Sequence, residues 1–270
     1  MSATTVDLVE PEAARRSRPA PARIPMSRIM GVELRKSFDT RSGFWLMASI
    51  AILAVIATAA TILFAPEDQL DYEAFATAIG FPMAVLLPII AALSVTSEWS
   101  QRTGLTSFTL VPHRGRVITA KLAVTIAVGV VSMVVAAAIG AVGNVVGTAI
   151  AGTDTVWNVS ATELGYIILA NVLGMLIGFM LGVLLRNSAG AIVGYFVYGF
   201  ALPPLSMLLA ANQGWFEDAQ PWVDFNYAQS ALFDGNLTGE QWAQLGVTGL
   251  FWLVIPMAIG LWSVLRSEVK

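Results

Sequence analysis

Six apolar runs, each long enough to cross a bilayer and free of Lys, Arg, Asp and Glu, constrain this chain more than any other feature. They cover 44–64, 75–95, 122–150, 164–185, 189–211 and 245–265. A hydrocarbon core of about 30 Å needs roughly 20 helical residues, and a charge at its centre costs about 2.5 to 3.5 kcal/mol on insertion scales. Only 12% of the 270 residues are charged. We therefore predict an all-α polytopic membrane protein with six transmembrane helices.

The basic residues mark one side of this predicted bundle. All 15 Lys and Arg residues lie before the first run, within 97–121, at Arg186 or at the C-terminus, which six crossings place on the same side. The opposite loops contain acidic residues and no basic ones. The positive-inside rule therefore predicts cytoplasmic termini, including 266–270, and a cytoplasmic 97–121 loop. Arg-rich, Ala-rich usage favours a bacterial source, and hence the bacterial inner membrane.

Two segments precede the first run. Residues 1–25 are rich in Ala, Pro and Arg, which predicts a disordered cytoplasmic tail. Over 26–43 apolar residues recur every three or four positions, which predicts an interfacial amphipathic helix, with a soluble juxtamembrane helix as the alternative. Glu33 interrupts its apolar face. The apolar face carries Met26, Ile29, Met30, Leu34 and Phe38, and the opposite face carries Arg28, Arg35 and Asp39.

The loop 97–121 is the one long polar segment on the basic side. Within it, 103–110 is long enough for about two helical turns, with Leu105 and Phe108 one turn apart. Two interpretations are open: a solvated connection between spans, or a short helix parallel to the membrane that contacts a soluble partner. The basic residues of the loop are Arg102, Arg114, Arg116 and Lys121.

The span residues that stand out have plain structural interpretations. We expect Asn144 and Asn171 to make interhelical hydrogen bonds, with substrate contact as the alternative. Gly174, Gly178 and Gly182 repeat at every fourth position, which predicts close helix packing within the bundle or between subunits. Prolines in the spans predict kinks. They are Pro82, Pro88, Pro203, Pro204 and Pro256.

The acidic-side segment 212–244 is rich in aromatic residues interleaved with acids, which predicts a hairpin of short helices at headgroup level. The chain has no cysteine and one histidine, His113, which leaves no material for a thiolate metal site or a His-based triad. We therefore predict no metal site and no catalytic residues. A secondary transporter or channel is an alternative class, although ion-coupled transporters normally keep an ionisable residue within a span.

This order of parts resembles the membrane subunits of type-2 ABC transporters, nearly throughout from residue 26. The local match consists of Glu98, Arg102, Thr103, Gly104, Leu110, Pro112, Arg114 and Lys121. It is similar to the family pattern of an acid ending span two, a Gly-Thr pair, a leucine, a Pro-x-x-Arg turn and a Lys opening span three. Here the Gly-Thr order is reversed, and the arginine follows the proline by two residues.

The resemblance implies a permease that exports a drug, peptide or lipid, with a cytoplasmic coupling helix docked on a separate P-loop ATPase subunit. The chain itself contains no phosphate-binding G-x-x-x-x-G-K-[ST] motif, so ATP and Mg²⁺ would be bound by that partner. Six spans are half of the usual twelve, which implies a second permease, as a homodimer or a paired subunit. No nucleic acid is expected as a partner. The implied coupling residues are Glu98, Arg102, Thr103, Gly104, Leu105, Phe108, Pro112, Arg114 and Arg116.

Overall fold

The computed structural model describes residues 24–100 and 114–266, and every regular element in these two ranges is helical. The α-helices are α1 (Met26–Asp39), α2 (Arg41–Phe64), α3 (Tyr72–Ser100), α4 (Arg114–Ala151), α5 (Ala161–Leu185), α6 (Ser188–Phe196), α7 (Leu202–Asn212), α8 (Gly214–Val223), α9 (Phe225–Ser230), α10 (Gly239–Gly249) and α11 (Ile255–Arg266). Turns of 3₁₀-helix cover Glu67–Gln69 and Ala231–Phe233, and π-helical turns cover Val197–Ala201 and Leu250–Val254.

Six helical stretches are long and apolar enough to cross a membrane, which confirms the predicted all-α class and the number of candidate spans. They are Gly43–Phe64, Tyr72–Ser97, Gly115–Ala151, Ala161–Leu185, Ser188–Asn212 and Gly239–Arg266, called spans one to six below. Spans one to four are continuous α-helices. Spans five and six are each interrupted by a π-helical turn, which the sequence did not predict.

Span three begins earlier than the hydropathy predicts. Because α4 starts at Arg114, both Arg116 and Lys121 belong to its first turns, although the sequence assigned them to the loop. A helix of 38 residues is about 57 Å long, so one end extends well past a hydrocarbon core of about 30 Å. The helix begins eight residues before the predicted span, because hydropathy marks where lipid begins, whereas a helix continues until a residue breaks it.

The charged segments separate to opposite ends of the bundle. At the basic end, α1, the start of α4, the α5–α6 turn and the end of α11 lie together, as the contact between Gly115 and Leu265 illustrates. At the acidic end, Asn158 donates to Asp71 Oδ2 at 2.8 Å and joins the loops that precede spans two and four. The names basic end and acidic end are used in this sense below.

Span four lies at the centre of the fold. Of the residues in its most apolar stretch, 56% are buried, against 11% in span five. One face of span four, with Met175, Phe179 and Val183, packs in a core shared with spans one, two, three and six. Its other face, including Ile177 and Met180, packs against span five, α9 and span six. Span four therefore joins two hydrophobic cores.

Small residues bring spans two and four close together. A Cβ on Gly178 would lie 2.7 Å from the Cα of Pro88, and one on Gly182 would lie 3.3 Å from the Cα of Ala92. The first separation is shorter than any real Cβ contact, so only glycine fits beside Pro88. Gly174 differs, because a Cβ there would meet only side-chain tips, the nearest at 3.8 Å.

Candidate functional site at the two ends of span two

Most of the predicted coupling residues lie outside the described residues. They are Arg102, Thr103, Gly104, Leu105, Phe108 and Pro112. For Glu98 and Arg114 only the helical backbone is described. The structure therefore defines the surroundings of this segment: α3, which leads into it, α4, which leaves it, and α1 beside them.

An ion pair attaches α1 to α4. Glu33 and Lys121 are buried, with 6% and 7% of their surfaces exposed. The Oε2 atom of Glu33 accepts a hydrogen bond from Lys121 Nζ at 2.5 Å, and its Oε1 accepts one from Lys36 Nζ at 2.7 Å. An unpaired charge buried in protein costs several kcal/mol. Removing one partner of a buried ion pair leaves such a charge and is therefore strongly destabilising. Glu33 and Lys121 therefore hold α1 in one position against α4.

The packed face of α1 coincides only in part with its apolar residues. The buried residues are Ile29 and Glu33, whereas Leu34 and Phe38, assigned to the apolar face, are 43% and 48% exposed. The sequence of α1 suggests an apolar stripe with one acidic defect. In the structure the acid is at the centre of the packed face, because its cationic partner comes from a helix 88 residues away in the chain.

A second basic residue of α4 also contacts the N-terminal segment. The Arg116 guanidinium donates to the Ile24 carbonyl oxygen at 2.6 Å, just before α1 begins. Arg116 was among the predicted coupling residues. The structure places it between the start of α4 and the start of α1.

Span two is joined to the first half of span five at two levels. At the basic end the hydroxyl groups of Thr96 and Ser188 lie 2.8 Å apart, and Thr96 is fully buried. Twelve residues earlier in span two, the Ala84 carbonyl accepts a hydrogen bond from the Tyr195 hydroxyl at 2.6 Å. Together these bonds hold α6 alongside the half of span two that leads to the predicted coupling segment.

The Tyr195 bond has a clear cause in the sequence. Pro88 has no N–H, so the carbonyl four residues earlier, at Ala84, lacks its intrahelical donor. A carbonyl without a partner at this depth is costly, and the Tyr195 hydroxyl supplies the missing hydrogen bond. The sequence reasoning predicted a kink at Pro88 but did not single out Tyr195. The sequence offers one indication: a carbonyl that a proline leaves without its helical N–H requires a hydrogen-bond donor from another helix.

Span five changes helix type just beyond Tyr195. In the π-helical turn Val197–Ala201 the Leu202 N–H bonds to the Val197 carbonyl, five residues earlier. In the same i to i+5 register, the N–H of residue 203 would bond to the Tyr198 carbonyl. Residue 203 is a proline and has no N–H, so this carbonyl lacks a backbone donor. The Asn226 side chain donates to that carbonyl instead, at 3.0 Å. Span six repeats the pattern, with a π turn ending two residues before Pro256.

The acidic-end hairpin contains the predicted short helices, and it contacts three spans. Besides the bond from Asn226 to span five, Gln229 Nε2 donates to the Ala170 carbonyl of span four at 2.7 Å. In the opposite direction, Trp252 Nε1 of span six donates to the Val223 carbonyl of the hairpin at 2.7 Å. Residue 170 is about 14 Å along span four from its acidic end, so the Gln229 side chain of α9 bonds well inside the length of this span.

The two asparagines do not join spans to each other, so the expected interhelical bonds are wrong. Asn144 Nδ2 donates to the Val156 carbonyl at 2.8 Å and holds the loop between spans three and four. Asn171 Nδ2 donates to Ile167 in its own helix at 2.9 Å. The Oδ1 atom of each is buried without a hydrogen-bond partner among the described residues. Substrate contact stays open for both.

An apolar cavity of about 340 Å³ lies between span five, α8 and span six. Leucines and aromatic residues line much of it, and Tyr198, Ser206, Asn226 and the carboxylate residue Asp224 add polar groups. Such a lining is typical of sites for apolar molecules with one or two polar groups.

In the ranges 24–100 and 114–266, no group of three His, Asp or Glu side chains is placed to hold a metal ion.

The fold and its contacts define a polytopic helical membrane protein in which α4 packs against both α1 and α3. The family model described as ABC-2 family transporter protein matches residues 33–202, more than half of the chain. The chain therefore belongs to the ABC-2 family and is a membrane subunit of an ABC transporter. This membership implies pairing with an ABC ATPase subunit. A search of curated proteins finds no match.

Proposed function

We propose that this chain is the permease of an ATP-driven exporter that moves a hydrophobic or amphiphilic substrate, such as a drug, peptide or lipid, out of a bacterial cell. A separate P-loop ATPase would bind ATP and Mg²⁺ and dock on the 101–113 segment. The observation that carries the proposal is the buried Glu33–Lys121 pair, which attaches α1 to the helix leaving that segment. A docked partner could then move α1 and α4 together.

Span two would carry the same movement toward the acidic end. The half of span two nearer the basic end is bonded to α6, through Thr96 with Ser188 and through the Ala84 carbonyl with Tyr195. Displacement of the end of α3 would therefore displace α6 as well. The π turn Val197–Ala201 then separates α6 from the rest of span five. Because π turns disrupt the regular helical ladder and often occur at functional sites, we place the flexible point of span five here.

The substrate path would pass between spans four, five and six. The 340 Å³ cavity beside Tyr198 would accept an apolar group, and Asn226 of the hairpin helix α9 is part of its lining. We retain the buried Oδ1 atom of Asn171 as a hydrogen-bond acceptor for substrate, and that of Asn144 nearer the acidic end. A second permease would pack on span five, whose apolar side chains are the least covered of the six spans.

Reconstitution of the full chain with its ATPase in proteoliposomes tests the proposal. Transport of a fluorescent amphiphile should require ATP, and the chain alone should show none. Transport that continues without ATP while a proton gradient is maintained would favour the secondary transporter and overturn the assignment. Reporter fusions should place Asp71 and Asp224 outside the cell and both termini inside.

An engineered disulfide tests the link from span two to α6, with cysteines substituted for Thr96 and Ser188. The natural chain has no cysteine, so a double Thr96→Cys, Ser188→Cys variant would form one defined crosslink. If span two and α6 move as one unit, the oxidised variant should transport as well as the reduced one. Loss of transport on oxidation alone would show that the two helices separate during the cycle.

A further inference from the structure

The face of α1 that points away from the bundle forms a basic groove. Its residues are Arg28, Gly31, Val32 and Arg35, all exposed, and they line an open volume of about 340 Å³. The two arginines are seven residues apart, which places them on the same helical face and about 10 Å apart along the axis. Gly31 lies between them, and a Cβ there would meet nothing within 4 Å.

These arginines are available to a ligand. Neither has an ion-pair partner among the described residues, although exposed Asp39 is one turn from Arg35. The other acid of α1, Glu33, lies on the packed face and is already bonded to Lys36 and Lys121. The groove therefore presents two guanidinium groups whose planar donors suit a phosphate oxygen.

The position of α1 favours a lipid as the source of that phosphate. The helix contacts α4 at Lys121, one residue before the long apolar run of span three, and ends three residues before span one begins at Gly43. Beside the arginines, Leu34 and Phe38 are exposed apolar side chains. A helix with basic and apolar side chains exposed together at this level is typical of contact with lipid headgroups and the adjoining acyl chains.

We propose that Arg28 and Arg35 bind the phosphate of an anionic phospholipid headgroup on the cytoplasmic leaflet. Neither arginine belongs to the proposed coupling segment 101–113. The apolar flank favours a lipid over an acidic surface of the ATPase, which would have no need of exposed Leu34 and Phe38. The inference does not depend on the transport activity, since its test uses neither ATP nor substrate.

A dye on a single cysteine measures the site in the full chain. Val32→Cys places the dye in the groove, and the natural chain contributes no other cysteine. The labelled protein is reconstituted in phosphatidylcholine vesicles containing either brominated phosphatidylglycerol or brominated phosphatidylcholine, whose bromines quench the dye on contact. We expect quenching at several-fold lower amounts of the anionic lipid.

Substitutions identify the groups responsible. Arg28→Gln and Arg35→Gln should each weaken the preference for the anionic lipid by about fivefold, and Arg35→Lys should keep part of it. The control is Arg41→Gln, which removes an exposed basic residue at the start of α2, outside the groove. Equal quenching by both lipids, or an equal loss in the Arg41 control, would overturn the proposal. So would protection of the dye only when the ATPase is added, which would make the ATPase the occupant.

Discussion

The two ends of the molecule are held together by different chemistry. At the basic end charged groups attach α1 to α4, through Glu33 with Lys121 and Arg116 with the Ile24 carbonyl, beside the neutral bond between Thr96 and Ser188. From the middle of the spans to the acidic-end hairpin, neutral side chains make the contacts. A tyrosine, an asparagine, a glutamine and a tryptophan bond to backbone carbonyls, namely those of Ala84, Tyr198, Ala170 and Val223.

The difference follows from where each contact lies relative to lipid. The Glu33–Lys121 pair lies outside the apolar runs and its two charges compensate each other, whereas a charge in the hydrocarbon costs about 2.5 to 3.5 kcal/mol. Within the spans, prolines free carbonyl groups, as Pro88 does for Ala84, and a neutral donor satisfies them without adding a charge. In the proposed mechanism the basic end would therefore contact a charged partner, while the spans stay compatible with lipid.

The largest effect is expected in the coupling segment at the basic end, outside the described residues. Thr106→Pro would remove a helical hydrogen bond and disturb the preceding turn, costing about 3 kcal/mol locally. We expect transport and substrate-stimulated ATPase activity to be lost at normal membrane abundance. Arg102→Glu should weaken docking in the same way. Arg15→Glu, in the tail, serves as the control, and normal transport by Thr106→Pro would restore the interpretation as a plain connecting loop.

The next effect concerns the ion pair. Lys121→Met would leave buried Glu33 with Lys36 as its described partner, and breaking a buried pair costs about 3 to 5 kcal/mol. The free energy of unfolding of the purified protein should fall accordingly. In the double variant Lys121→Met, Glu33→Leu most of the loss should be recovered, because no buried charge is left. If the loss in the double variant equals the sum of the losses in Lys121→Met and Glu33→Leu measured singly, the ion pair is not the contact that holds α1.

Packing between spans two and four gives the third prediction. Gly178→Ala would force a methyl group into the backbone at Pro88, and we expect a loss of at least about 2 kcal/mol in unfolding free energy. Gly174→Ala is the matched control on the same helix, where a Cβ meets only ordinary contacts. Similar losses in both variants would show that the repeat of glycines, and not the approach to Pro88, determines the packing.

The smallest effect tests the neutral half of the comparison. Tyr195→Phe would leave the Ala84 carbonyl buried without a donor, a loss of about 1 to 2 kcal/mol. Adding Pro88→Ala restores a backbone N–H four residues after Ala84, so the double variant should lose less than Tyr195→Phe alone. A double-mutant cycle on unfolding free energy measures this coupling. A coupling energy near zero would mean that the N–H missing at Pro88 does not account for the hydrogen bond from Tyr195 to the Ala84 carbonyl.

Much of the fold was predictable because lipid imposes simple rules on a sequence. The number of spans, their all-α class and the short helices of the hairpin all follow from hydropathy and composition. The candidate site was predicted only in part. Residues such as Tyr195 and Gln229 carry no sequence signal by themselves, since their role depends on carbonyl groups in other helices.

By itself, the sequence determined the six spans, because about 20 apolar residues are needed to cross the hydrocarbon wherever they occur in the chain. Tertiary structure decided which polar groups meet. Glu33 looks like a defect in an amphipathic stripe until Lys121 is placed beside it, and the Asn144 amide bonds to a loop rather than to a span. These two contacts join residues 88 and 12 positions apart in the chain, so local periodicity carries no information about them.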